Sequence, residues 1–202
     1  MNGKNRYFTV NGGVSLILLV FIILSLVSFA ALSVVSARAD SRLTEKYRRE
    51  ASERIVRQVL SLPAYRKART VMAYVSLPGE PDTRLILEDA AAHGKTVLLS
   101  RCTGPDRMEA LRFPGWDKME KSRMGIPEPP ESAEETPEAD LILVPCMTVS
   151  PEGVRLGHGA GYYDRFLAKR KAETVCLCFR QLVRDLVPAG PEDYRIGRVI
   201  TD

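Results

Sequence analysis

Hydrophobic residues fill the chain almost without interruption from Val14 to Ser36, VSLILLVFIILSLVSFAALSVVS, and no charged residue stands between Arg6 and Arg38. A helix over this run is apolar on every face, unlike the stripe of an amphipathic surface helix. Its length exceeds the roughly 20 residues that carry a helix across a bilayer. A transmembrane helix over about residues 14–36 is the leading reading. A cleaved secretory signal is the rival, since Ala37-Arg38-Ala39 loosely fits the cleavage pattern. Against it, the apolar core is longer than the roughly 7–15 residues of such signals. A buried core helix ranks last. Lys4 and Arg6 precede the run, whereas Arg38, Arg42, Lys46, Arg48 and Arg49 follow it. That asymmetry predicts a cytoplasmic location for everything that follows.

From about Asp40 the pattern becomes that of a soluble domain. Ile55, Val56, Val59 and Leu60 make one face of an amphipathic helix over Arg48 to Leu62, stopped by Pro63. Val71 to Val75 is a buried strand, ended by Leu77-Pro78-Gly79. Asp82 or Thr83 can cap a helix that runs to Ala92 and closes at Gly94, and Thr96 to Leu99 is the next strand. Strand, helix and strand with short links make a right-handed βαβ unit, the building block of a parallel sheet. Met108 to Phe113 reads as an antiparallel or edge strand, and the Pro- and Glu-rich stretch Pro127 to Ala139 as a solvated loop. Leu141 to Pro145 reads as a central strand, Tyr162 to Arg170 as a helix, Thr174 to Phe179 as a strand and Gln181 to Leu186 as a short helical or turn segment. The expected architecture is a three-layer α/β/α domain with a mainly parallel sheet over residues 40–202. Residues 1–39 precede it and carry the one membrane helix.

Composition narrows the chemistry. The 202 residues include 29 Lys+Arg, 25 Asp+Glu and 2 His, a formal net charge of +4. An excess this small, with no aromatic–basic stripe, argues against nucleic acid as a partner. Four cysteines without a C-x-x-C pair, together with two histidines, leave little room for a zinc site. The thiols read as buried and reduced rather than as a disulfide framework.

The strongest local signal is Arg155-Leu156-Gly157-His158-Gly159-Ala160-Gly161-Tyr162-Tyr163-Asp164-Arg165, set between a buried strand and a helix. Three alternate glycines let the backbone approach a ligand and turn N–H groups outward, and a helix N-terminus follows. The result is an anion cradle suited to phosphates. No Lys-Ser/Thr follows the last glycine, so the loop is not a Walker A motif, and its spacing is not that of the dinucleotide fingerprint. A plain tight connection is the competing reading. Glu80 and Arg101 follow successive strands at the C-terminal sheet edge, where open parallel sheets bind ligands. A surface ion pair is the alternative for both, and a helix cap is favoured for Asp82. His158 can touch phosphate or fill solvent, and His93 reads as a helix-end cation. Trp116 and Phe113 read as cover for the sheet, with a ring-binding pocket as the alternative.

From about Leu43 onward these pieces, in order, resemble the 5-formyltetrahydrofolate cyclo-ligase family. The resemblance rests on Leu62-Pro63-Ala64-Tyr65, Pro78 to Thr83, Gly94-Lys95, Ser100-Arg101, Gly125 to Pro129, the long signature 155–165, Pro191-Glu192-Asp193 and Val199 to Asp202. It implies an enzyme that uses ATP to close 5-formyltetrahydrofolate to 5,10-methenyltetrahydrofolate, releasing ADP and phosphate. By the same resemblance Arg101, Arg155, Leu156, Gly157, His158, Gly159, Ala160, Gly161, Tyr162 and Tyr163 would bind ATP. Val75, Glu80, His158 and Tyr162 would bind the folate, with or without a polyglutamate tail. Tyr162 and Arg155 would act at the reacting groups, and Asp164 and Asp193 would hold Mg²⁺. A monomer on the inner face of the cytoplasmic membrane is expected, or a cytoplasmic one if the apolar segment is removed or is not part of the native protein.

Two departures from the family pattern stand out. Ala160 occupies a position where relatives often carry Lys or Gly. The basic N-terminal helix of the family would fall on Phe29 to Arg42, where only Arg38 and Arg42 are cationic. A catalytically impaired, membrane-held module that binds folate or nucleotide is therefore the alternative function.

Overall fold

The structure is a computed structural model, and it describes residues 43–122, 125–131, 133 and 138–202. The apolar run 14–36 and the expected membrane helix lie outside the described residues. Among the described residues no helix is long and apolar enough to cross a membrane.

The first helix, α1 (Glu45–Ser61), is capped by Thr44, whose hydroxyl accepts the Tyr47 N–H at 3.2 Å. Pro63 sits at the first position of a short second helix, α2 (Pro63–Lys67), as its missing N–H allows. Then come β1 (Thr70–Ala73), α3 (Arg84–Ala92), β2 (Thr96–Cys102) and β3 (Met108–Arg112). A small ribbon, β4 (Glu120–Lys121) and β5 (Pro127–Glu128), follows. The rest of the chain forms β6 (Leu141–Val144), the ribbon β7 (Thr148–Val149) and β8 (Arg155–Leu156), α4 (Tyr162–Leu167), β9 (Glu173–Leu177) and β10 (Arg198–Ile200).

Six strands form the main sheet in the order β10-β9-β6-β1-β2-β3. Every pairing is parallel except β2–β3, so the expected mainly parallel sheet and the antiparallel edge strand are both present. The strands of β6 and the interior of β9 are buried along their whole length. This is the unalternating pattern of a sheet covered on both faces. From β1 the chain moves outward through α3 to β2; from β6 it moves the opposite way through α4 to β9. The two crossovers thus leave the centre of the sheet in opposite directions.

The core is centred on Met72, Leu98, Leu99, Leu141, Ile142, Leu143, Leu177 and Phe179, each 1% exposed or less. Burial of each such side chain stabilises by about 1.5–3 kcal/mol before conformational entropy is counted. On one face α1 docks through Ile55 and Val59 and through a polar seam to the last residues of the chain. Tyr47 donates to Asp202, Arg54 pairs with it at 3.1 Å, and Gln58 donates to the Thr201 carbonyl at 2.7 Å. The Asp202 carboxyl stays below its usual value. Burial pushes it up, but hydrogen bonds from the Arg180 amide, Arg54 and Tyr47 outweigh that.

Three sequence expectations change. The stretch from Pro127 is not all loop, because Pro127 and Glu128 pair with Lys121 and Glu120. Cys102 is exposed at the end of β2, whereas Cys146, Cys176 and Cys178 are buried as expected. The helix expected to reach Arg170 ends at Leu167, after six residues.

Candidate active site

The sheet order fixes where a ligand can bind. β1 continues outward to β2 on one side, and the chain returns to β6 on the other, so β1 and β6 flank the topological switch point. Crossovers leave in opposite directions there, and a crevice opens beyond the C-terminal strand ends. Tyr74, Val75 and Glu80 emerge from β1 at this edge, Ser100 and Arg101 come from β2, and β6 leads through the β7–β8 ribbon into the glycine loop 157–161.

The loop is held from inside. Arg155 is buried, its side chain 5% exposed, and its Nη2 lies 2.9 Å from Asp164 Oδ1. The same carboxylate oxygen accepts the Tyr194 N–H at 3.2 Å. The guanidinium sits over the Tyr163 ring, 5.5 Å from its centroid, and its Nε has no partner. A Cβ on Gly157 would lie 2.9 Å from Arg155 Nη1, so the backbone runs close against the buried cation and a side chain there would displace the guanidinium. Gly161 begins α4 with φ 64° in the left-handed region, and a Cβ there would meet Arg165 Nη1 at 2.7 Å. Arg165 in turn donates to the Ala160 carbonyl at 2.8 Å and to Asp106 O at 3.1 Å. His158, Gly159 and Ala160 form the exposed crest, and among the described residues their N–H groups meet no protein acceptor. With only six residues behind it, the loop owes its anion affinity to its own amides more than to a helix dipole.

The adjacent tyrosines diverge. The Tyr162 hydroxyl donates to Gly104 O at 2.8 Å, fastening α4 to the β2–β3 turn. The Tyr163 hydroxyl donates to Ser100 Oγ at 3.2 Å. Burial pushes the Tyr163 phenol well above its usual value; Ser100 pulls it back, and the nearby Glu80 charge adds to the rise. Burial likewise raises the Tyr74 phenol, again with a contribution from Glu80, and its hydroxyl has no hydrogen-bond partner. Glu80 itself accepts the Leu77 N–H at 2.9 Å.

Glu80 and Val75 line a cleft of about 800 Å³ between α1 and the β1–α3 connection. Arg48, Arg49, Ser52, Arg84, Leu85 and Trp116 line it as well. Sequence reasoning missed the α1 and α3 members of this set. Ser52 accepts the Asp82 N–H at 3.1 Å, and Asp82 accepts the Arg84 N–H at 2.9 Å from one residue before the N-cap, which is Thr83 rather than the favoured Asp82. The glycine loop does not line this cleft. Tyr163, stacked with Arg155, feels the charge of Glu80 from the cleft side.

Other expected site residues have partners of their own. Arg101 donates to Pro129 O at 2.5 Å and pairs with Glu120 at 3.3 Å, which joins β2 to the β4–β5 ribbon. Leu156 is buried, and its carbonyl accepts the Met147 N–H. Asp193 is exposed and accepts the Gly190 N–H at 2.6 Å, one residue from the amide that binds Asp164.

A family model described as the 5-formyltetrahydrofolate cyclo-ligase family matches residues 35–202. The chain belongs to the 5-formyltetrahydrofolate cyclo-ligase family. The 5-formyltetrahydrofolate cyclo-ligase of Mycolicibacterium smegmatis is 36% identical over 146 residues, covering 66% of this chain and 73% of that protein. A probable 5-formyltetrahydrofolate cyclo-ligase of Caenorhabditis elegans is 29% identical over 175 residues, 79% of this chain and 85% of that one. The solution structure of Aquifex aeolicus 5,10-methenyltetrahydrofolate synthetase superposes with a TM-score of 0.75 at 26% identity, covering 85% of this chain and 88% of its own. The cyclo-ligase match starts at residue 35, near the end of the apolar run.

Proposed function

We propose that this cyclo-ligase family member converts 5-formyltetrahydrofolate to 5,10-methenyltetrahydrofolate, consuming ATP and releasing ADP and phosphate. The formyl oxygen takes the γ-phosphoryl group as the β–γ P–O bond breaks and ADP leaves; N10 then attacks the activated carbon and gives up its proton to water, and the C–O bond breaks as phosphate leaves with that oxygen. Such a reaction asks a protein for positioning and charge neutralisation more than for covalent chemistry. The observation that carries the reading is the exposed crest His158–Ala160, whose amides meet no acceptor among the described residues, braced by the buried Arg155–Asp164 pair.

In this reading the crest amides and the backbone at Gly157 and Gly161 bind ATP phosphates. Arg155 supplies positive potential from beneath, and Leu156 contributes only as the strand that aims the loop. Glu80 and Val75 face the folate. Tyr163 is the positioning residue between the two substrates, and Tyr162 clamps the loop to the β2–β3 turn. Asp164 and Asp193 would hold Mg²⁺. Carboxylate oxygens suit an ion that keeps its waters and takes phosphate oxygens, and Asp193 stands one residue from the amide that binds Asp164. When bound, the ion would neutralise phosphate charge.

The test is spectroscopic: the folded full chain should generate the methenyl chromophore only when 5-formyltetrahydrofolate, ATP and Mg²⁺ are all present. Ligand-induced thermal stabilisation without turnover would favour the alternative, a binding module. Ala160, which leaves the crest without a cation, motivates that second reading. We further propose that the charge-free segment 14–36 anchors the domain at the cytoplasmic face of a membrane, supported by the basic residues after it. Recovery of the native full chain only in the soluble fraction would count against this.

A further inference from the structure

We infer that Trp116 is the wall on which the substrate's ring system stacks, and that its indole N–H is the donor that reads that ring. This deepens the proposed function and rests on it. Trp116 lines the same cleft as Val75 and Glu80, whose volume of about 800 Å³ suits a ligand the size of a folate. Its plane is fixed from two directions. The Arg84 guanidinium lies 4.9 Å from the indole centroid, and Phe113 meets the ring edge-on at 5.0 Å and 69°. A positioned aromatic surface loses little entropy when a flat ligand settles on it.

Two features of the free protein are incomplete without a ligand. Among the described residues the buried Trp116 Nε1 meets no acceptor. A buried donor in that state is costly, and a pterin carries carbonyl and ring-nitrogen acceptors of the kind it lacks. Leu85, on the first turn of α3, lines the cleft yet is 53% exposed, one of two large hydrophobic side chains so exposed among the described residues. Trp116 and Leu85 together offer a flat heteroaromatic ring an apolar seat with one donor at its edge. The glycine loop lies outside this lining, so the seat serves the folate rather than the triphosphate. Gly115, with φ 103°, and the 3₁₀ turn Trp116–Lys118 set the indole on a short segment just after the sheet's edge strand.

Trp116 is the chain's single tryptophan, so its fluorescence reports this cleft alone. Full-length protein is titrated with 5-formyltetrahydrofolate without ATP, exciting at the red edge of the indole band. Free N-acetyltryptophanamide serves as the absorbance control, and calorimetry gives an independent Kd. The expected result is saturable quenching with the calorimetric Kd, and none with ATP alone. Stacking on an aromatic platform is worth on the order of tenfold in affinity. Trp116→Ala should therefore weaken folate binding by about that factor, and Trp116→Phe, which keeps the ring and loses the donor, by a few-fold. The KM for ATP should move less than that for folate in both. Calorimetric folate binding with unchanged fluorescence would overturn the inference, and that result needs no variant to fold. So would a Trp116→Ala protein with wild-type folate affinity. In either case turnover would persist and the proposed function would stand. Absence of both folate binding and turnover in folded protein would refute the function and the inference together.

Discussion

The Arg155–Asp164 pair makes a prediction that can be worked from the coordinates. Sequence comparison gives these residues different tasks, one toward phosphate and one toward metal, yet the structure joins them at 2.9 Å with side chains only 5% and 17% exposed. Asp164→Ala removes the partner of a buried guanidinium whose Nε already has none. Breaking a buried pair from one side costs about 3–5 kcal/mol, and the partial exposure of Asp164 points to the lower end, near 3 kcal/mol. For a domain of this size that is a fall in Tm of roughly 6–12 °C. Adding Arg155→Met removes the stranded charge, and the cation–π contact with Tyr163 goes with it. The double variant should recover at least about 1 kcal/mol relative to additivity. Denaturant unfolding of the four proteins closes the cycle. Additive losses within about 0.5 kcal/mol, or an Asp164→Ala protein as stable as wild type, would refute the claim that the pair braces the loop.

Three further predictions follow from the same geometry. Ala160→Lys places a cation on the exposed crest and should lower the KM for ATP by about fivefold at low salt, less at high salt; an unchanged KM would mean the crest does not meet phosphate. Tyr162→Phe should cost about 1 kcal/mol of stability through the lost bond to Gly104, whereas Tyr163→Phe should impair steady-state turnover more; the reverse order in the rates would restore Tyr162 to the reacting centre. Tyr47 and Asp202 should give the domain two pH limits. Burial and the bond to Asp202 raise the phenol from 10.0 to about 12, so its contribution is complete below 10.0 and lost as the pH climbs to about 12. The Asp202 carboxyl is depressed, so its contribution is complete above its usual value of 3.8 and lost as the pH falls through its folded value. The stability difference between wild type and Tyr47→Phe should shrink at both ends; a difference independent of pH would contradict the pairing.

What the sequence reveals and what it conceals have physical causes. The runs at Leu141–Val144 and at 175–177 are apolar at consecutive positions because both sheet faces are covered, and that pattern needs no partner to be legible. The glycine signature is legible because close backbone approach admits few alternatives. The pairing of Lys121 with Pro127 is concealed because two residues have no period. Tyr162 and Tyr163 differ by about 100° of helix rotation, and only the tertiary surroundings decide which reaches Gly104 and which Ser100. Arg155 and Asp164 bracket the loop with opposite charges, a clue that local spacing offers but cannot distinguish from two independent ligands. The cleft joins α1 residues to Trp116, more than 60 positions apart, and no local pattern carries such a contact. Cys102 differs from the other thiols only because β2 carries it past the covered part of the sheet.

The fate of one oxygen atom tests the proposed chemistry most directly. With 5-formyltetrahydrofolate labelled with ¹⁸O in the formyl group, the mechanism predicts one labelled oxygen in each inorganic phosphate released as the methenyl product forms. Product accompanied by unlabelled phosphate would contradict phosphoryl transfer to the formyl oxygen, and with it the role given to the glycine loop.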